Sequence, residues 1–179
     1  MELLLATSNE HKAQQISSIL KRSVQHVKLD LPEVQAITVQ EVIEQKAREA
    51  YRQLGKPVLV EDTSLALHAW HGLPGALIRW FLETVGNDGI CKMLEGYEHL
   101  EATAETCIGY FDGDAFVSFS GVVEGCIARS PRGNNGFGWD PIFAPNGWDK
   151  TFAEMTREEG EVVSMRRMAI LQLQAFLNE

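Results

Sequence analysis

Basic residues, cysteines and long apolar runs are all scarce in this chain. Lysine and arginine number 16 against 25 aspartates and glutamates, a formal net charge of −9. Duplex nucleic acid demands a positive footprint, so this balance argues against a broad nucleic-acid surface. It leaves room for one phosphorylated small molecule, because a few lysines and a bound cation suffice for a local site. Three cysteines occur, Cys91, Cys107 and Cys126, with no CxxC spacing among them. That argues against a zinc ribbon or a disulfide framework and fits a reducing, cytoplasmic setting. The longest stretch without Asp, Glu, Lys or Arg covers residues 63–78, interrupted by Gly72, Pro74 and Gly75. It is too short to cross a bilayer, so no membrane partner is expected. The opening MELLLATSNEHK has too brief an apolar run for a signal peptide.

What is present is ordinary globular material: 179 residues, 45% hydrophobic and 23% charged. One domain over residues 1–179 is expected, with a core large enough to need no staple. Residues 2–6 read as a strand and 10–22 as a helix, with Ala13, Ile16, Ile19 and Leu20 at helical spacing. A second strand is read at 24–29, then a loop, LPEVQA. The segment 38–54 is the strongest helix, with Val39, Val42, Ile43, Ala47, Ala50, Tyr51 and Leu54 on one face and Gly55 and Pro57 ending it. Val58 to Val60 reads as a buried strand delivering Glu61 and Asp62 at its end. A helix at 76–85 is closed by Gly86, and a short one follows around 90–94. Strands at 103–111 and 115–123 are joined by Asp112-Gly113, a hairpin signal. A Gly/Asn/Pro-rich loop covers 129–138. Thr156 and Glu159 fit a capping box, which Gly160 weakens. A last helix at 164–177 places Met168, Leu171 and Ala175 inward. The alternation of helices and strands points to an α/β fold with a mixed sheet.

Several segments are suited to chemistry. A strand runs into Thr7-Ser8-Asn9-Glu10-His11-Lys12 and then a helix. Free amides and the positive dipole end at a helix start suit a phosphate, and Lys12 adds a cation one turn in. The plainer alternative is an N-cap with a surface lysine; the spacing is not that of a Walker loop. In Val58-Leu59-Val60-Glu61-Asp62-Thr63-Ser64, two carboxylates at a buried strand end need compensation, which a divalent cation provides. Strand alternation puts them on opposite faces, so they need not share one ion. The alternative is a strand entering a capped turn. In Gly133-Asn134-Asn135-Gly136-Phe137-Gly138-Trp139-Asp140-Pro141, two aromatics offer either a nucleobase platform or core anchors, or one of each. Lys46, on the polar side of its helix, and Arg157, Arg166 and Arg167 read either as phosphate-side cations or as solvated surface. His68 and His71 lack a third metal ligand at a recognisable spacing.

Taken in order, LLATSNEHK, DLPEVQ, VEDTSL, GLPGALIRWFLE, GFGWDPIF, TFAEMTREE and SMRRMA resemble the inosine triphosphate pyrophosphatase family across nearly the whole chain. The resemblance implies an ITPase-like α/β fold: an elongated mixed β-sheet with flanking helices and a cleft between two lobes, usually in a homodimer. It implies Mg²⁺-dependent cleavage of non-standard purine nucleoside triphosphates (ITP, dITP, XTP) to monophosphate and pyrophosphate. Carried over residue by residue, it implies that Thr7, Ser8, Asn9 and Lys12 hold the triphosphate, with Lys46, Thr63 and Arg79 also on the substrate. Glu33 and Asp62 match the acidic pair associated with the metal, and Asp62 is the expected catalytic base. Phe137, Gly138, Trp139 and Asp140 match the base-binding loop, and Arg166 the arginine of a Ser-His-Arg motif.

Two departures stand out. The motif reads Ser164-Met165-Arg166, without its histidine, and the family's lysine five residues earlier is Gly160. An apolar, adaptable methionine cannot read a 6-oxo group as a histidine does. The alternative is therefore the same reaction on a different nucleotide, with Arg157 or Arg167 as replacements for the lysine. A non-catalytic nucleotide binder is a further alternative, which the intact Glu33, Asp62 and Lys12 oppose.

Overall fold

The computed structural model describes residues 3–7, 9–32 and 34–178. Seven strands form one mixed sheet in the order β2-β1-β3-β5-β6-β7, with β4 paired to β3. The elements are β1 (Leu3–Ala6), α1 (Glu10–Leu20), β2 (Val24–Val27), α2 (Val39–Leu54), β3 (Val58–Leu67), β4 (Pro74–Gly75), α3 (Ile78–Thr84), α4 (Gly86–Met93), β5 (Glu101–Phe111), β6 (Phe116–Ile127), β7 (Phe143–Pro145), α5 (Arg157–Val162) and α6 (Met165–Phe176). β1 runs parallel to both β2 and β3, whereas β3–β4 and β6–β7 are antiparallel. This is the mixed α/β architecture with flanking helices that the sequence implied. No described helix is long and apolar enough to cross a membrane.

The chain divides into two compact units. The first comprises 1–63, 106–121 and 166–179, and the second 64–105 and 122–165. In the first unit, Leu3, Leu5 and Leu59 pack with Ile16 of α1, Ile108 of β5, and Ile170 and Leu173 of α6. β1 is LLLA, with three of its four residues buried, the near-continuous apolar run of a central parallel strand. α2 buries Val39, Val42, Ile43, Ala47 and Ala50, as its spacing required. It ends at Gly55, whose left-handed conformation (φ 63°) lets its N–H bond back to the Tyr51 carbonyl. The Asp112-Gly113 turn joins β5 and β6, with Asp112 Oδ1 accepting from the amides of Asp114 and Ala115.

In the second unit, Leu65, Ile78, Ile90, Trp139, Ile142 and Phe143 form the core. Three sequence expectations need correction. β3 does not stop near Val60 but continues to Leu67, so Glu61 and Asp62 sit within the strand. Gly86 opens α4 and does not merely close α3. On α6 the inner face is Ala169, Ile170 and Leu173, while Met168, Leu171 and Ala175 are exposed. That helix is apolar on much of its circumference, so period alone does not choose a face. The capping box at Thr156 and Glu159 is present in both directions despite Gly160, and Thr151 with Glu154 forms a second that the sequence reading did not identify.

Candidate active site

β3 carries two adjacent carboxylates in the first unit. Alternation turns them to opposite faces. Leu59 and Glu61 face the side packed by α1 and α6, and Val60 and Asp62 the side of α2. Glu61 has a side chain only 1% exposed, which a carboxylate tolerates only when paired and hydrogen-bonded. Arg166 meets it in a two-pronged contact, Nε to Oε2 at 3.0 Å and a terminal nitrogen to Oε1 at 2.9 Å. Lys12 Nζ lies 2.9 Å from the same Oε1. Burial pushes the Glu61 carboxyl up, but the Arg166 and Lys12 charges together outweigh it and hold the group below the usual carboxylate range. The other terminal nitrogen of Arg166 donates to Gln15 Oε1 at 3.0 Å.

On the opposite face, Lys46 of α2 places Nζ 3.2 Å from Asp62 Oδ2 and donates to the Glu61 carbonyl at 3.5 Å. Asp62 Oδ1 accepts from the Thr63 amide at 2.9 Å. The Asp62 side chain is 26% exposed, so it keeps contact with solvent. A carboxylate has about four lone-pair positions, and the described partners use two of them. Its hard oxygens and partial exposure fit a divalent cation that retains most of its waters. Among the described residues no three His, Cys, Asp or Glu side chains gather into a larger metal cluster. Among the described residues, Lys12, Lys46 and Arg166 against Glu61 and Asp62 leave one positive charge in excess.

At the turn into α1, the Asn9 amide donates to Thr7 Oγ1 at 3.1 Å, and the Lys12 amide to the Asn9 carbonyl at 3.2 Å. Asn9 is exposed and Thr7 half-buried. Ser8 and Glu33, both expected on the substrate or its metal, lie outside the described residues.

The second unit holds the glycine-rich loop. Trp139 is buried, its ring edge-on to Phe143 with centroids 5.6 Å apart and tilted against Phe152 at 6.1 Å. Phe137 is 64% exposed. One aromatic anchors the loop and the other is presented. Asp140 Oδ2 accepts from the Phe137 amide at 2.8 Å, and Asn87 Nδ2 donates to the Gly138 carbonyl at 2.8 Å. Gly133 and Gly136 have φ of +83° and +75°; a Cβ would strike the Ala153 backbone at the first and the Asp140 carboxylate at the second. Arg79 is exposed on α3 and pairs with Glu83 at 2.7 Å. Arg157 pairs with Glu161 of its own helix at 3.4 Å with its side chain 87% exposed. Met165 packs on this unit's apolar core.

Lys12, Lys46, Asp62, Thr63 and Arg166 are thus gathered in one unit, and Phe137, Gly138, Trp139 and Asp140 in one loop of the other. Sequence reasoning did not identify Glu61 as the anchor of Lys12 and Arg166, although its alternation with Asp62 was the available signal. It gave no signal for Asn87 or Gln15.

Comparison with known proteins points one way. The model of the Ham1 family matches residues 3–176. A dITP/XTP pyrophosphatase of Methanopyrus kandleri is 42% identical over 174 residues, covering 95% of this chain and 93% of that protein. An inosine triphosphate pyrophosphatase of Yarrowia lipolytica is 42% identical over 184 residues, covering 100% and 97%. Among solved structures, a HAM1 protein from Coxiella burnetii superposes with a TM-score of 0.90 at 28% identity, covering 99% of this chain and 98% of that one.

Proposed function

Because this chain belongs to the Ham1 family, we propose that it is a nucleoside triphosphate pyrophosphohydrolase, cleaving ITP, dITP and XTP to the monophosphate and pyrophosphate. Residues 1–179 act as one ITPase-like domain in this reading. The observation that carries it is the middle of β3, where Glu61 and Asp62 collect Lys12, Arg166 and Lys46 from three helices. An excess of positive charge beside a partly exposed carboxylate suits a triphosphate and the water that attacks it.

Lys12 and Lys46 neutralise the phosphate oxygens, with Thr7, Ser8, Asn9 and Thr63 supplying shorter polar groups and Arg79 a further cation. Asp62 and Glu33 would hold Mg²⁺, and the ion bound there would supply Lewis-acid polarisation of the phosphate oxygens. Asp62 orients the attacking water and takes its proton as the water adds to phosphorus. The bond to the leaving oxygen breaks, and pyrophosphate departs with its charge met by the lysines. Glu61 is less suited to be the base, because Arg166 and Lys12 occupy both its oxygens. Phe137 stacks on the base, with Gly138, Asp140 and the buried Trp139 fixing the loop that presents it, and Arg166 completes the nucleotide contacts.

In this reading the protein works as a cytoplasmic homodimer: the family resemblance supports the dimer, and three free cysteines accord with a reducing compartment. Light scattering giving the mass of one chain would contradict the dimer. The reaction itself is tested by incubating ITP with Mg²⁺ and separating the products. Equal amounts of IMP and pyrophosphate, abolished by EDTA, are expected. Inosine diphosphate with orthophosphate, or no product, overturns the reading.

A further inference from the structure

Glu61 takes no part in the steps above, yet among the described residues it is the most confined charge of the first unit. It occupies a strand position where Leu59, two residues earlier, is fully buried. Its carboxylate is shared by Lys12 from α1 and Arg166 from α6, residues 154 positions apart along the chain. Lys12 and Arg166 keep 22% and 15% of their side chains exposed.

We infer that Glu61 is the positioning residue of the nucleotide site: its buried carboxylate fixes the Lys12 ammonium and the Arg166 guanidinium before substrate arrives. This rests on the pyrophosphatase reading and adds a role to it. Long cationic side chains left loose lose their rotamer freedom on binding, which weakens affinity; here the loss is taken during folding. The fork of Arg166 matches a carboxylate in shape, so the guanidinium plane is set as well as its position. Glutamine at position 61 has the same outline but offers one acceptor oxygen and no charge, so it cannot hold both cations. Aspartate keeps the charge and the fork but stands one methylene short.

The test compares wild type, Glu61→Gln and Glu61→Asp in two assays: ITP turnover with Mg²⁺, and calorimetric binding of inorganic tripolyphosphate with Mg²⁺. For folded Glu61→Gln, KM for ITP rises roughly 10–100-fold, as for loss of a charge-assisted hydrogen bond, while kcat falls far less. Tripolyphosphate affinity falls in parallel, and Glu61→Asp lies between. An unchanged KM and affinity in folded Glu61→Gln overturns the inference. So does an activity loss that merely follows the folded fraction by circular dichroism; Glu61→Asp decides the matter if Glu61→Gln does not fold. Wild-type protein that binds tripolyphosphate but releases no pyrophosphate overturns the pyrophosphatase reading alone, and the positioning role is then judged on binding. Wild-type protein that binds no tripolyphosphate overturns the positioning role.

Discussion

The two units solve different physical problems. The first places a carboxylate inside a strand and neutralises it with side chains from two helices. The second buries aromatic rings, Trp139, Phe143 and Phe152, and leaves Phe137 at the tip of a loop fixed by glycines, Asp140 and Asn87. One is built to organise charge and the other to present a flat apolar surface. A nucleoside triphosphate has one end of each kind.

The largest loss is expected at Asp62. Asp62→Asn keeps the shape and removes the base, so turnover falls by about 10²–10⁴-fold while thermal unfolding stays close to wild type. A near-native rate of pyrophosphate release in that variant contradicts the role given to it. Next come the two aromatics of the loop. Trp139→Ala empties part of a packed core and destabilises the protein by about 3–5 kcal/mol in urea unfolding. Phe137→Ala changes stability by no more than about 0.5 kcal/mol but raises KM for ITP by the loss of about 1–3 kcal/mol of stacking. If the two variants behave alike, the division between anchor and platform is wrong.

Acid separates the units in another way. The folded-state pKa of Glu61 is depressed, so its stabilisation is present above the ordinary carboxylate pKa and is lost as pH falls through the lower folded-state value. No other carboxylate stands among the buried residues described. All four tryptophans, Trp70, Trp80, Trp139 and Trp148, belong to the second unit. On acid titration, the part of the helical circular dichroism that comes from α1, α2 and α6 should therefore be lost before tryptophan emission shifts. Coincident transitions would mean that the first unit's buried charge does not govern its acid stability.

The smallest effect is expected at Gly160. A Cβ there meets nothing within 4 Å, so Gly160→Lys fits without rearrangement. It should add up to about 1 kcal/mol through helix propensity and raise the ITP-to-ATP ratio of kcat/KM modestly, more so together with Met165→His. An unchanged ratio in the double variant would place base selection wholly in the Phe137 loop.

Elements with one dominant signal were legible in the sequence. β1 is a plain apolar run, α2 has five buried residues at helical spacing and a terminating glycine, and Asp112-Gly113 announces its hairpin. What was missed depended on partners far along the chain. The run Glu61-Asp62-Thr63-Ser64 looks like a strand end because polar residues break the pattern. It continues as strand to its pairing with β4, and Lys12, Arg166 and Lys46 meet the charges it carries. The inner face of α6 was misjudged because Met168 and Leu171 are as apolar as Ile170 and Leu173. Phe137 and Trp139 were expected together in the base-binding loop, with separate orientations left open. Only their packing assigns one to solvent and the other to the core. Asn87 is distant from Gly138 in sequence, and nothing local marks its contact.

In the proposed function, the charge organised on β3 and the exposed ring of Phe137 serve one substrate class. The most direct measurement is kcat/KM for pyrophosphate release with Mg²⁺ across ITP, dITP, XTP, ATP, dGTP and the pyrimidine triphosphates. Strong preference for ITP, dITP and XTP is predicted, even with Met165 and Gly160 where the family carries histidine and lysine. Equal rates on all of them, or preference for an ordinary nucleotide, would contradict the account.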